Sequence, residues 1–179
     1  EVAYLLVHGE LPTSSNLEEW NDQLAKHAHL DDQLNSNLLK AFNNHSHPMG
    51  MFTAGLAALS TLYPDARDVE DPEIRQKHVL NAIAKVPTLA ASAAAYRSGY
   101  SGAQSNEELS YVENFLSMAF SSPDAPFQSN PTFTKALDQL LILHADHEQN
   151  CSTTAVRVVG SSHADPYSAL AAGSAALSG

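Results

Sequence analysis

Proline placement constrains this chain more than any other feature. Asp71-Pro72, Asn130-Pro131 and Asp165-Pro166 each put a capping side chain directly before a proline, and Pro48 fits the first turn of another helix. Proline's fixed φ suits a helix start, where its missing N–H would have had no intrahelical partner. No pair of alternating apolar and polar runs supports a sheet. Only 153–159 has strand character, and its helical reading has better caps. The expected fold is all-α, a multi-helix bundle with residues 1–179 as a single all-helical domain, without internal repeats.

Taken in order, 1–7 reads as the last turns of a helix stopped by Gly9. Ser15 and Glu18 suggest a capping box, followed by an apolar face of Leu17, Trp20 and Leu24. Asp31 or Asp32 should cap a helix lined by Leu34, Leu38 and Phe42. From Pro48 a third helix should run to about Tyr63, with Met49, Phe52, Leu56 and Leu59 on its faces. A long helical pattern from Pro72 reaches Gly99, with Pro87 expected to kink it. Ser110 and Glu113 form a second capping box, with Tyr111, Phe115 and Met118 expected inward. Ser152 is the expected cap of the helix that stops near Gly160.

Composition excludes several classes. A net charge of −11 argues against nucleic acid and anionic membrane surfaces, and no run of eighteen apolar residues offers a membrane span. One cysteine, Cys151, rules out an internal disulfide framework and fits a reducing, cytoplasmic compartment. Neither a starting Met nor a basic-then-apolar leader precedes Glu1, and both ends read as cut, as in an interior segment of a longer protein.

The stretch 140–157, LLILHADHEQNCSTTAVR, concentrates the chemistry. Phe133, Leu137 and Leu140 recur at helical intervals, and His144 and His147 continue the line, so both imidazoles are expected on one buried helical face. Asp146, Glu148, Gln149, Asn150 and Ser152 crowd the same end, a costly arrangement to bury unless the groups are used. Two core histidines bonded to backbone would give the same spacing. His-x-Asp-His also resembles part of a hydrolase metal motif, but only two or three ligands can be named where three or four are needed, so no metal is expected. The pairs His27/His29 and His45/His47 lie in polar segments and read as solvated. Cys151 has no visible base.

The corner His144-Ala-Asp-His-Glu-Gln-Asn-Cys-Ser-Thr, followed by Arg157, Gly160-Ser-Ser, Asp165-Pro166 and an Ala-rich helix, resembles citrate synthase. Asn44-His-Ser-His47-Pro48-Met49 is similar to the family's His-Pro-Met helix start. Leu109-Ser-Tyr-x-Glu-Asn-Phe-Leu116 and the segment from Glu1-Val-Ala-Tyr to Leu11-Pro12 match two further blocks. The Gln149-Asn150 form looks closer to the bacterial, hexamer-forming type. The resemblance implies the large helical domain of an enzyme that joins acetyl-CoA to oxaloacetate and hydrolyses the thioester to citrate and CoA. It needs no cofactor beyond these substrates. By the match, His147 would hydrogen-bond oxaloacetate and His144 would support it. Asn150 and Ser152 would line the same corner, Ser152 orienting a catalytic histidine expected after Gly179. No catalytic residue is expected within the segment, which should be inactive alone.

The resemblance also implies a homodimer or higher homo-oligomer through Ala-rich helices in 48–99 and 131–160. Some bacterial relatives bind NADH near the positions of Lys26, His27, Asn81 and Lys85, but Asn81 and Ala28 depart from that pattern. A 2-methylcitrate synthase using propionyl-CoA is the nearest alternative. A non-catalytic helical dimerisation module is the alternative outside enzymes.

Overall fold

Eight α-helices and three short helical turns make up the described part of the computed structural model, which covers residues 1–43, 45–100, 104–122, 124–146 and 148–179, the side chains of residues 33, 36, 38 and 39 aside. In order they are α1 (Val2–His8), α2 (Ser14–His27), α3 (Pro48–Leu62), α4 (Pro72–Arg97), α5 (Tyr111–Phe120), α6 (Pro131–His144), α7 (Cys151–Gly160) and α8 (Pro166–Ser178). Among the described residues the only β pairing is an isolated bridge between Ser122 and Ala125. The chain is all-α, as its sequence leads one to expect.

Each proline start holds. Asp71 Oδ1 accepts from the Glu73 and Ile74 amides, Asn130 Oδ1 from Thr132, and Asp165 Oδ1 from Tyr167 and Ser168. At Pro48 the cap is an imidazole: His47 Nδ1 accepts from the Met49 amide at 3.2 Å. Gly9 ends α1 at φ 81°, a left-handed position that glycine adopts without a Cβ clash, and its N–H reaches the Leu5 carbonyl at 2.8 Å. The Ser110–Glu113 capping box forms in both directions.

Three local expectations need correction. Thr13, not Ser15, caps α2: the Pro12 corner leaves Thr13 extended, and its Oγ1 accepts from the Asn16 amide. The helix expected after Asp31 is a π turn over Gln33–Leu38 running into a 3-10 turn over Leu39–Ala41. Asn35 and Asn37 are residue types whose short polar side chains compete for backbone hydrogen bonds, which weakens the preference for a regular α-helix there. On α5 the buried residues are Val112, Asn114, Leu116 and Met118. Tyr111 is 38% exposed and donates its hydroxyl to the Ile83 carbonyl at 3.0 Å.

The main core gathers Leu30, Leu34, Leu56, Leu59, Leu89 and Tyr167 between α3, α4 and α8. A second cluster packs Trp20, Leu24 and Ala84 against α1, and a third pairs Met51 with Ala93. Full burial of each leucine contributes about 2 kcal/mol. Helix α4, which continues through Pro87, runs through the middle and buries a polar seam: His78, Asn81, Lys85, Thr88 and Ser92, spaced 3, 4, 3 and 4 residues apart. Lys85 Nζ donates to the His27 and His29 carbonyls at 2.8 and 2.5 Å, and Thr88 Oγ1 to the Ala28 carbonyl at 2.8 Å. Three successive carbonyls at the C-terminal end of α2 are thereby tied to α4.

The apolar stripe expected to be buried on α6 is not buried. Phe133 is 64% exposed and Leu143 69%, Leu140 is exposed as well, and neither α6 nor α7 has a buried residue. Helix α6 packs on α5 and α7 on α8, and neither contributes a residue to the core clusters. Periodicity reports that a face is apolar, whereas burial depends on what packs against it.

Candidate functional site

The α6–α7 corner is built from helix ends. Helix α6 stops at His144, where the Ala145 amide closes back on the Ile142 carbonyl. Continuation of one helical face through both histidines therefore fails at the helix end, and His147 lies outside the described residues. His144 is exposed. Its Nδ1 donates to the Leu140 carbonyl at 2.7 Å, because a carbonyl only accepts, and in the neutral ring Nε2 is left as an acceptor.

Beyond it the chain bends through a short polar turn. Asp146 Oδ1 accepts from the Glu148 amide, and Glu148 takes φ 60°, an uncommon backbone conformation for a side chain with Cβ. Asn150, not Ser152, then caps α7. Its Oδ1 accepts from the Thr153 amide at 2.9 Å and from Ser152 Oγ at 2.7 Å. With Oδ1 engaged twice, the Nδ2 amide provides the donors for anything held at this corner. The first amides of α7, apart from that of Thr153, have no intrahelical acceptor, and the helix dipole favours negative charge there.

An open cleft of about 340 Å³ begins beside Ser152 and runs between α7, α8 and α3. Phe52, Leu56, Val156 and Leu170 make it apolar, with Arg157 at its edge. Sequence spacing brought Ser152 and Arg157 into one motif but carried no signal that they share a cleft with α3. Cys151 is exposed, with Sγ 3.5 Å from the Ala176 carbonyl. Among the described residues no group of three or more His, Cys, Asp or Glu is placed to hold a metal ion. Nor is any described helix long and apolar enough to cross a membrane.

The family model for the citrate synthase C-terminal domain matches residues 1–179. The chain belongs to the citrate synthase family. A citrate synthase of Corynebacterium glutamicum is 43% identical over 179 residues, which is 100% of this chain and 41% of that protein. Among solved structures, citrate synthase from Pyrobaculum aerophilum superposes with a TM-score of 0.90 at 30% identity, covering 100% of this chain and 45% of that one. Citrate synthase from Thermotoga maritima gives 0.81 at 26% identity, with 44% of its chain covered. The chain thus spans less than half the length of these relatives.

Proposed function

We propose that this chain is part of an enzyme that condenses acetyl-CoA with oxaloacetate to give citrate and CoA, and that the α6–α7 corner forms one wall of the oxaloacetate site. The observation that carries this reading is the family match over all 179 residues, which includes the whole corner. The corner's chemistry supports it. Oxaloacetate brings two carboxylates and a ketone, all acceptors, and Asn150 Nδ2 and the α7 amides are donors. His147 would complete the donor set with His144 as its supporting neighbour, and Ser152, bonded to Asn150, would hold the cap in place. The remaining charge complement and the carbon acid's base would come from outside these 179 residues.

The test uses the full-length parent protein. CoA release from acetyl-CoA should require oxaloacetate, and Asn150→Ala should raise KM for oxaloacetate about tenfold, the equivalent of one charge-assisted hydrogen bond. His147→Ala should weaken oxaloacetate binding at least as much. Rates with propionyl-CoA in the same assay separate citrate from 2-methylcitrate formation. The 179-residue segment alone should show no turnover. Citrate formation by the segment, or a full-length protein that binds no oxaloacetate, would overturn the reading.

A further inference from the structure

Helix α7 carries the corner, yet α7 has no buried residue of its own, and α8 is its principal support. Gly173 lets the two helices close until a Cβ there would meet Val156, and Cys151 Sγ reaches the Ala176 carbonyl. Whatever fixes the axis of α8 therefore fixes Asn150 and Ser152. Three polar contacts do so from the other side. Thr53 Oγ1 and Ser174 Oγ are 2.7 Å apart, and Ser60 Oγ donates to Asp165 Oδ2 at 2.9 Å. The third is buried deepest: His78 Nδ1 lies 2.9 Å from the Tyr167 hydroxyl, and both residues are 0% exposed.

We infer that Asp65, His78 and Tyr167 form a tautomer-selected latch that positions α8 and, through it, the substrate corner on α7. His78 Nε2 stands 3.1 Å from Asp65 Oδ2, within ion-pair distance though off the line of a straight hydrogen bond. The carboxylate also holds Lys77 Nζ at 2.7 Å, which keeps it charged and aimed at the ring. A carboxylate beside Nε2 favours the proton on that nitrogen, which leaves Nδ1 as the acceptor for the Tyr167 O–H. The alternative tautomer would donate from Nδ1 to the hydroxyl oxygen but turn the Nε2 lone pair toward the Asp65 carboxylate, acceptor against acceptor. Tyr63 packs against both rings at a tilt, with centroids 5.6 Å from His78 and 5.5 Å from Tyr167. The latch thus joins the turn after α3, the first half of α4 and the start of α8. Tyr167 and His78 are positioning residues, since neither touches the corner.

This inference rests on the proposed site, and its test separates the two. In the full-length enzyme, Tyr167→Phe removes one oxygen and keeps the ring. It should raise KM for oxaloacetate about fivefold, the equivalent of one buried hydrogen bond, with kcat changed less than KM. Leu24→Ala, in the cluster remote from α8, should lower the melting temperature while leaving KM unchanged. 15N-histidine NMR should show His78 Nδ1 as the unprotonated, accepting nitrogen, and Asp65→Ala should shift the ring toward a tautomer mixture. If Asn150→Ala raises KM and Tyr167→Phe does not, the latch is overturned and the site stands. If both are silent, the site and the latch fall together. A protonated Nδ1 on neutral His78 overturns the latch whatever the kinetics show.

Discussion

A methyl group added at Gly173 would stand 2.5 Å from Val156 Cγ2 and 3.4 Å from the Ser152 carbonyl oxygen. Valine is stiff at χ1 and cannot swing clear cheaply. Gly173→Ala should therefore lower stability by about 1–3 kcal/mol, read as a fall in melting temperature. Adding Val156→Ala should restore part of the loss, and an unchanged melt would show that α7 slides freely on α8. Asp65 makes a second prediction at this scale. The hydrogen bond from Lys77 and then the His78 ring beside it hold its carboxyl down to about 2 from an ordinary 3.8. The folded state is the weaker proton binder between those values, so this contribution is complete above about pH 4 and fades as pH falls toward 2. Its side chain is 41% exposed, so solvent and salt weaken the effect. Urea midpoints should drop on acidification over that window, and Asp65→Asn should flatten the drop. Little of this was legible in the sequence: only packing brings His78 and Tyr167 together across 89 residues.

At the scale of elements, helix starts were the readable part. Caps and prolines act within a few residues of themselves, so Asp71, Asn130 and Asp165 declared α4, α6 and α8 without tertiary help. The exceptions were also local in origin: Thr13 displaced Ser15, and Asn150 displaced Ser152, each by occupying the last extended position before the helix. The seam of α4 was not readable. In the sequence Lys85 stood out only as a position near which some relatives bind NADH, but it is buried and bridges two carbonyls, and burial pulls its ammonium below the usual lysine range. Lys85→Met would leave the His27 and His29 carbonyls without their donor, at a cost of about 2–4 kcal/mol in unfolding free energy. Chemical denaturation checks this, and a methionine variant of equal stability would show that water replaces the ammonium. With its Nζ committed to these carbonyls, Lys85 is also poorly placed to hold a phosphate.

At the scale of the molecule, the apolar surface is divided unequally. The alanines of α4 pack inside the chain, whereas Phe133, Leu140, Leu141, Ile142 and Leu143 on α6 and Val158 on α7 are exposed. Large apolar side chains exposed in this number are the mark of an interaction surface. If the full-length protein forms a homo-oligomer, as its family resemblance implies, α6 and α7 are better placed for the contact than the alanine-rich α4. Leu143→Asp in the full-length protein should then shift its sedimentation toward a smaller species and reduce activity, while Leu62→Asp near the core should unfold it. Unchanged sedimentation of Leu143→Asp would place the interface elsewhere.

The sequence by itself determined the class of fold, the helix starts and the polar composition of the 144–152 corner. All of these depend on interactions between residues a few positions apart, whose geometry a chain carries wherever it goes. Tertiary structure alone decided which apolar faces are covered, why a lysine and a histidine lie in the middle of α4, and how α8 supports α7. Burial and long-range pairing depend on what another part of the chain brings to the same place, and spacing along one helix holds no record of it.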